Sequence, residues 1–356
     1  MWSNDDERWD WLKLAQDEDP DFPHESAEKR LKALLVMRDK ASVTENRETI
    51  WNDSLVREAL IGCGQEEQFE NVRALTCSVL FKLAMEVRLR KAMLNDEAVR
   101  AVLFKASDKY GPDSVRVRSL VVLANLMIMD KGESGWSSLE LQKALLDGGT
   151  DKRQPSTVRV KALGALWTLA ASGGNLTDMW KSLDVRYALY ANISVDQPAD
   201  VRAKALGVFW TLATSENNWE VMWAEQDFQH ALVSNMEEGH PAAVRVNAFN
   251  TVRSLANAAS VQEAVWAHDQ ARAALLKGAT PEKGPDVRAA ALLALIQLAG
   301  HQANESQMQD VGVADLLKKA AEDETFTQRE RKLFEFGYNR FSSALPESEE
   351  PALADE

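Results

Sequence analysis

The sequence predicts an all-α solenoid of about eight repeats, each 43 residues long and built from three helices. Two observations carry this. Arginine returns every 43 residues, at Arg30, Arg73, Arg116, Arg159, Arg202, Arg245, Arg288 and Arg331. Residues 158–170 (VRVKALGALWTLA) also return almost unchanged as 201–213 (VRAKALGVFWTLA), with looser copies opening at Val72, Val115, Val244 and Val287. A period of this size suits stacked helical modules, each of which buries its apolar face only against its neighbours.

Taken in order, residues 5–16 (DDERWDWLKLAQ) read as a short helix with Trp9, Leu12 and Trp2 on one side, placed to cover the open end of the stack. Residues 17–23 break it with two prolines and a run of acids. Three segments follow from this: an acidic capping helix and linker (1–28), a repeat domain (29–345) and a disordered acidic tail (346–356). The first repeat is worn, since Lys40 stands where later copies have Leu126, Leu169, Leu212, Leu255 and Leu298. At the far end, Glu335 on an apolar position marks a capping helix.

Within a repeat, positions are counted from the arginine at 0. Apolar residues at +3, +4, +7, +10 and +11, such as Ala162, Leu163, Leu166, Leu169 and Ala170, fall on one side of a long helix. Asn46, Asn175, Asn218 and Asn304 recur at +16 and suit the N-cap of a second helix, after a break exemplified by Gly173-Gly174. An apolar pair at +20 and +21 follows, four times ending in tryptophan (Trp51, Trp180, Trp223, Trp266), which reads as core. A third helical segment then runs to a loop, and proline in several of these loops starts the next long helix.

Three helices in 43 residues, the longest opening in VRxxAL, resemble the armadillo repeat, and the VR opening is similar to that of the related HEAT repeats. The resemblance covers residues 29 to about 345. It implies a right-handed superhelix whose long helices line a concave groove. In that family an asparagine at +9 holds the backbone of an extended peptide, beside a tryptophan at +5. Here the asparagine survives as Asn125, while Thr168, Thr211 and Ser254 hold the position elsewhere, with Lys82 and Gln297 at the flanks. Gly164, Gly207 and Asn250 replace the tryptophan, so this is not a nuclear-import receptor groove.

Positions +2, +5, +9 and +12 point away from the apolar side, toward that groove. The +2 row holds Arg118, Lys161 and Lys204 in successive repeats, then Asn247. Beside the hydroxyls of Thr168, Thr211 and Ser254, this stripe is either a solvated face or a seat for an acidic or phosphorylated segment. Trp167 and Trp210 at +8 either pack on a neighbouring repeat or project into the groove, with Arg253 in the same place one repeat on. Gly164 and Gly207 clear space one turn away, and such a slot beside an aromatic suits an apolar anchor. The arginine at 0 is structural, its charge carried to a loop carboxylate or helix-end carbonyl, with Asp113, Asp200 and Asp286 as candidate partners.

The net charge of −14 lies in the ends: −8 in residues 1–28 and −5 in 346–356, leaving −1 for the body. A neutral body offers no phosphate-neutralising surface, which argues against nucleic acid. No apolar run is long enough to cross a membrane, and the acidic N-terminus is unlike a secretory or mitochondrial leader. Cys63 and Cys77 read as small core residues in a reducing cytoplasmic or nuclear setting. The five histidines share no ligand spacing, and no phosphate-binding glycine loop occurs, so no metal, cofactor or catalytic residue is assigned. The expected function is a non-enzymatic scaffold that binds another protein or an extended peptide segment along its groove. The alternatives are a chaperone cofactor clasping a folded domain of Hsp70 or myosin, and an architectural subunit of a large assembly.

Overall fold

A computed structural model of the chain describes residues 5–128, 136, 139–172 and 174–342. The expectations for Trp2, Gly173 and the tail 346–356 lie outside the described residues. Among the described residues there are twenty-two α-helices, and the chain divides into two compact units, Met1–Asn192 and Ile193–Glu356.

The first unit opens with α1 (Asp5–Ala15) and holds four long helices: α2 (Pro23–Ser42), α5 (Glu70–Ala84), α8 (Asp113–Met127) and α10 (Ser156–Ala171). Behind α2 come α3 (Thr44–Asn52) and α4 (Ser54–Gly64); behind α5 come α6 (Val87–Asn95) and α7 (Glu97–Ala106). Helix α9 (Leu139–Gly149) follows α8, while α11 (Leu176–Lys181) and α12 (Leu183–Ile193) follow α10. Each long helix packs on the next, α2 on α5, α5 on α8 and α8 on α10. The second unit repeats the plan with long helices α13 (Ala199–Leu212), α16 (Ala242–Leu255), α19 (Pro285–Leu298) and α22 (Gln328–Ser342). Between them lie α14 (Trp219–Trp223), α15 (Gln226–Met236), α17 (Ala259–Ala267), α18 (Asp269–Gly278), α20 (Gln302–Asp310) and α21 (Val313–Ala321). Here α13 packs on α16, α16 on α19 and α19 on α22. Long helices stacked on long helices, with two shorter ones between (one, α9, among the described residues after α8), make an α-solenoid.

The arginine at 0 is buried in Arg30, Arg73, Arg116, Arg159, Arg202, Arg245 and Arg288. Most of its partners come from the third helix of the same repeat or the loop after it; Glu18, ahead of the first repeat, Asp113, on the same helix as Arg116, and Met236, in the repeat before Arg245, are the exceptions. Arg159 Nη1 donates to Asn192 Oδ1 and Arg202 Nη1 to Asn235 Oδ1, both at 2.9 Å. Arg288 binds Asp323, Arg30 binds Gln68 and Glu18, and Arg245 reaches the Met236 carbonyl at 3.1 Å. Asp113 is bonded to Arg116 as the sequence suggested, at 3.2 Å, but Arg202 and Arg288 turn to Asn235 and Asp323 rather than to Asp200 and Asp286. Those two acids sit in the first turn of α13 and α19, while the guanidinium bonds to groups 33 and 35 residues further along the chain.

The two asparagines also tie one repeat to the one before. Asn192 Nδ2 donates to the Thr150 carbonyl at 2.7 Å and Asn235 Nδ2 to the Ile193 carbonyl at 2.8 Å, equivalent atoms 43 residues apart. In the first repeat the same place is taken by Cys63, whose Sγ contacts the Ala15 carbonyl at 3.4 Å. Burial pushes the Cys63 and Cys77 thiols up to about 11 and about 12, so both are inert core residues.

The asparagines at +16 do a different job from the one expected. Asn46, Asn218 and Asn304 donate to the carbonyls of Lys40, Leu212 and Leu298, closing the C-terminus of the long helix before them. No side-chain cap bond is made to the helix after Asn175 or Asn218. The last carbonyls of a long helix inside a stack have no water to turn to, so the amide goes there. Position +17 serves the next carbonyl along, through Arg47, Arg90, Trp219 and Gln262. The +21 tryptophans are core as expected, and Arg57, Arg186 and Arg272 lie over the rings of Trp51, Trp180 and Trp266 at 5.3, 5.4 and 5.8 Å.

At the N-terminal end, α1 packs through Trp11, Leu12 and Ala15, and Trp11 Nε1 donates to the Ala33 carbonyl at 2.6 Å. Trp9, expected in that contact, is exposed. The buried face is set by the i, i+1, i+4 spacing of Trp11, Leu12 and Ala15, which turns Trp9 aside. At the other end, α22 buries Phe334 and Phe341 and leaves Glu335 exposed, as a terminal helix requires.

Two predictions follow from the buried ladder. Asn235→Ala removes one acceptor from the buried Arg202 guanidinium and the donor from the Ile193 carbonyl, and lowers stability by about 1–3 kcal/mol, read as a drop in the urea midpoint. The second concerns His240, whose Nδ1 lies 3.2 Å from Arg202 Nη1. Burial first, and the Arg202 charge second, hold this imidazole below its ordinary value. The unfolded chain therefore takes up a proton near pH 6.5 that the folded chain refuses. Stability is full above that pH and falls as the medium is acidified; His240→Gln flattens the decline in melting temperature between about pH 7 and about pH 5.5.

Candidate functional site

The long helices supply the face on which the candidate residues stand. Their +3, +4, +7, +10 and +11 side chains are buried, as with Ala162, Leu163, Leu166, Leu169 and Ala170, which aims +2, +5 and +9 the other way. In the first unit Arg118, Lys161 and Thr168 are exposed, and Asn125, Gly164 and Trp167 are half-buried. Lys82 joins them half-buried on α5. In the second unit Lys204, Trp210, Thr211, Asn247, Asn250, Arg253 and Ser254 are half-buried, and Gly207 is buried.

Hydrogen bonds narrow what these groups can offer. Thr168 Oγ1 donates to the Gly164 carbonyl at 2.9 Å and Thr211 Oγ1 to the Gly207 carbonyl at 3.1 Å. A carbonyl only accepts, so each hydroxyl has turned its proton back onto its own helix and presents lone pairs outward. In this arrangement neither threonine offers its proton to an anion. Asn125 Nδ2 likewise donates to the Val121 carbonyl at 2.9 Å. Arg118 Nη1 donates to the Ser114 carbonyl at 2.7 Å, and four further N–H groups of that guanidinium remain for other acceptors. Asn247 Nδ2 donates to the Ala203 carbonyl at 2.7 Å, so this residue fastens α16 to α13.

The two glycines differ. A Cβ built on Gly164 meets nothing within 4 Å, which makes it an open notch on α10. Gly207 is buried, so the same notch does not open on α13. Of the two glycines expected to clear space beside a tryptophan, Gly164 is the one with open space around it.

The sequence reading passed over the asparagine ladder. Asn192 and Asn235 share the 43-residue interval of Arg159 and Arg202, a signal that was present in the spacing. No group of three or more histidine, cysteine, aspartate or glutamate side chains able to hold a metal occurs among the described residues. No helix among them is long and apolar enough to cross a membrane.

No protein-family model matches the chain, and no curated protein sequence is significantly similar to it. Solved structures do match. A chain from a structure of the phosphorylation-switched interaction between cadherin and beta-catenin has 16% identity and a TM-score of 0.59 over 93% of this chain. A chain from the Kap95:Nup1 complex has 13% identity and a TM-score of 0.57 over 95% of it. This chain spans 60% and 44% of those two chains. At such identities the likeness is one of fold: the architecture is the armadillo/HEAT-type α-solenoid.

Because the notch at Gly164 is open, Gly164→Ala adds a methyl group without a clash and raises stability by about 0.5–1 kcal/mol, measured by chemical denaturation. A loss of stability would show that the helix needs glycine there for packing.

Proposed function

We propose that the chain is a non-enzymatic interaction scaffold whose long-helix face holds an extended acidic segment of another protein. One observation carries the reading. The repeat body is nearly neutral at −1, its acids and bases in balance, yet no acid stands at +2, +5, +9 or +12 of α5, α8 and α10 in the first unit, or of α13, α16 and α19 in the second; on α2, Asp39 holds +9. Lys82, Arg118, Lys161 and Lys204 occupy positions in the same sets. A face left to solvation alone in such a body would carry both signs, so cations without acids on these six helices support an anionic partner.

The cations take the side-chain carboxylates or phosphates of such a segment. The outward lone pairs of Thr168 and Thr211 and the oxygen of Asn125 take its backbone N–H groups, which an extended chain presents to either side. The open notch at Gly164 takes a small apolar side chain. Three long helices spaced about 10 Å apart give a seat of roughly 20 Å in the first unit, room for about six extended residues. The origin of the two structural neighbours, one from work on cadherin with beta-catenin and one from a Kap95:Nup1 complex, is in keeping with this reading.

A fluorescein-labelled glutamate-rich peptide tests it. Arg118→Glu with Lys161→Glu weakens binding by about tenfold or more, and the wild-type affinity falls steeply with added salt. Equal binding by wild type and variant removes the proposal.

A further inference from the structure

The second repeat departs from the buried ladder at its head. Of the seven buried arginines at 0, six bond to an oxygen among the described residues, and Arg73 does not. Its side chain is 7% exposed. In Arg159, Arg202 and Arg288 Nε is bare as well, but Nη1 has its acceptor; Arg73 has neither. The sequence explains the gap. Acceptors stand at +33 in Asn192 and Asn235 and at +38 in Gln68, where the repeat of Arg73 has Ala106 and Gly111. A third source is +35, from which Asp323 answers Arg288. Its counterpart Asp108 is exposed, accepts the Tyr110 N–H on Oδ1 at 2.8 Å, and directs its charge at Arg116. Glu70, in the first turn of α5, takes the Ser114 hydroxyl at 2.5 Å. Cys77, one turn beyond Arg73, is held neutral by burial and brings no charge.

We propose that Arg73 holds a small monovalent anion of the chloride type in place of the missing acceptor. A buried guanidinium without an acceptor forfeits both its hydrogen bonds and its counter-charge. Water returns the first alone, whereas a small anion returns both. Access sets the size: so little of Arg73 is exposed that the occupant is an ion rather than the side chain of a partner. The ion takes the role that Asn192 and Asn235 play in the fourth and fifth repeats, and makes closure of the second repeat depend on the medium. Arg73 is buried at the head of α5, while Arg118 and Lys161 stand exposed on the outer side of α8 and α10, so this site is separate from the peptide-binding face.

Melting of the full-length chain, followed as sodium chloride replaces sodium gluconate at constant ionic strength, tests this with screening held fixed. The melting temperature of the wild type rises by about 2–4 °C up to about 0.2 M chloride and then levels off. Arg73→Gln shows no rise, and Arg118→Glu with Lys161→Glu rises as the wild type does. Equal rises in wild type and Arg73→Gln overturn the proposal, as does a wild type that chloride leaves unchanged. A crystal of the wild type soaked in sodium bromide then locates the ion, as an anomalous peak within hydrogen-bonding reach of the Arg73 guanidinium. That arm needs no variant and decides the matter should Arg73→Gln fail to fold. Bromide found only at surface lysines, with no peak at Arg73, overturns the proposal too.

Discussion

A guanidinium buried at the head of every long helix from α2 to α19 is the constraint that the stacking answers to. An ion of that size taken out of water loses several kcal/mol of hydration, which only well-aimed acceptors return. Burial holds Arg116, Arg202 and Arg245 below the usual arginine value, the direct mark of that loss. For Arg159, Arg202 and Arg288 an acceptor sits at the far end of the same repeat, so those bonds form only when the helices of the repeat have folded back together. Where the acceptor is Asn192 or Asn235, its amide goes on to a carbonyl of the preceding repeat. One side chain thereby couples closure of a repeat to its docking on the last. Apolar burial supplies most of the energy, but it is non-directional; the arginine and asparagine fix the register at which the helices meet.

This explains which parts of the architecture could be read from the sequence. The arginine interval, the apolar wheel of the long helix and the tryptophan at +21 are one-dimensional patterns, and helix count, repeat length and core followed from them. The asparagines at +16 were misread for a physical reason. An asparagine between two helices can serve the N–H groups ahead or the carbonyls behind, and both choices look identical in sequence. Burial decided the matter, since the carbonyls at the end of a buried helix have fewer alternatives than the N–H groups of a short surface helix. Trp9 and Trp11 posed a similar ambiguity, resolved by the wheel of α1 against α2 and α4.

The candidate face was legible in its charges and less so in its hydrogen bonds. That Arg118 and Lys161 are exposed follows from the wheel alone. That Thr168 and Thr211 have committed their protons does not, because a threonine in a helix can point its hydroxyl either way. Spacing also could not separate Gly164 from Gly207, equivalent by sequence and unlike in exposure. Local context within each unit, rather than the repeat itself, sets them apart.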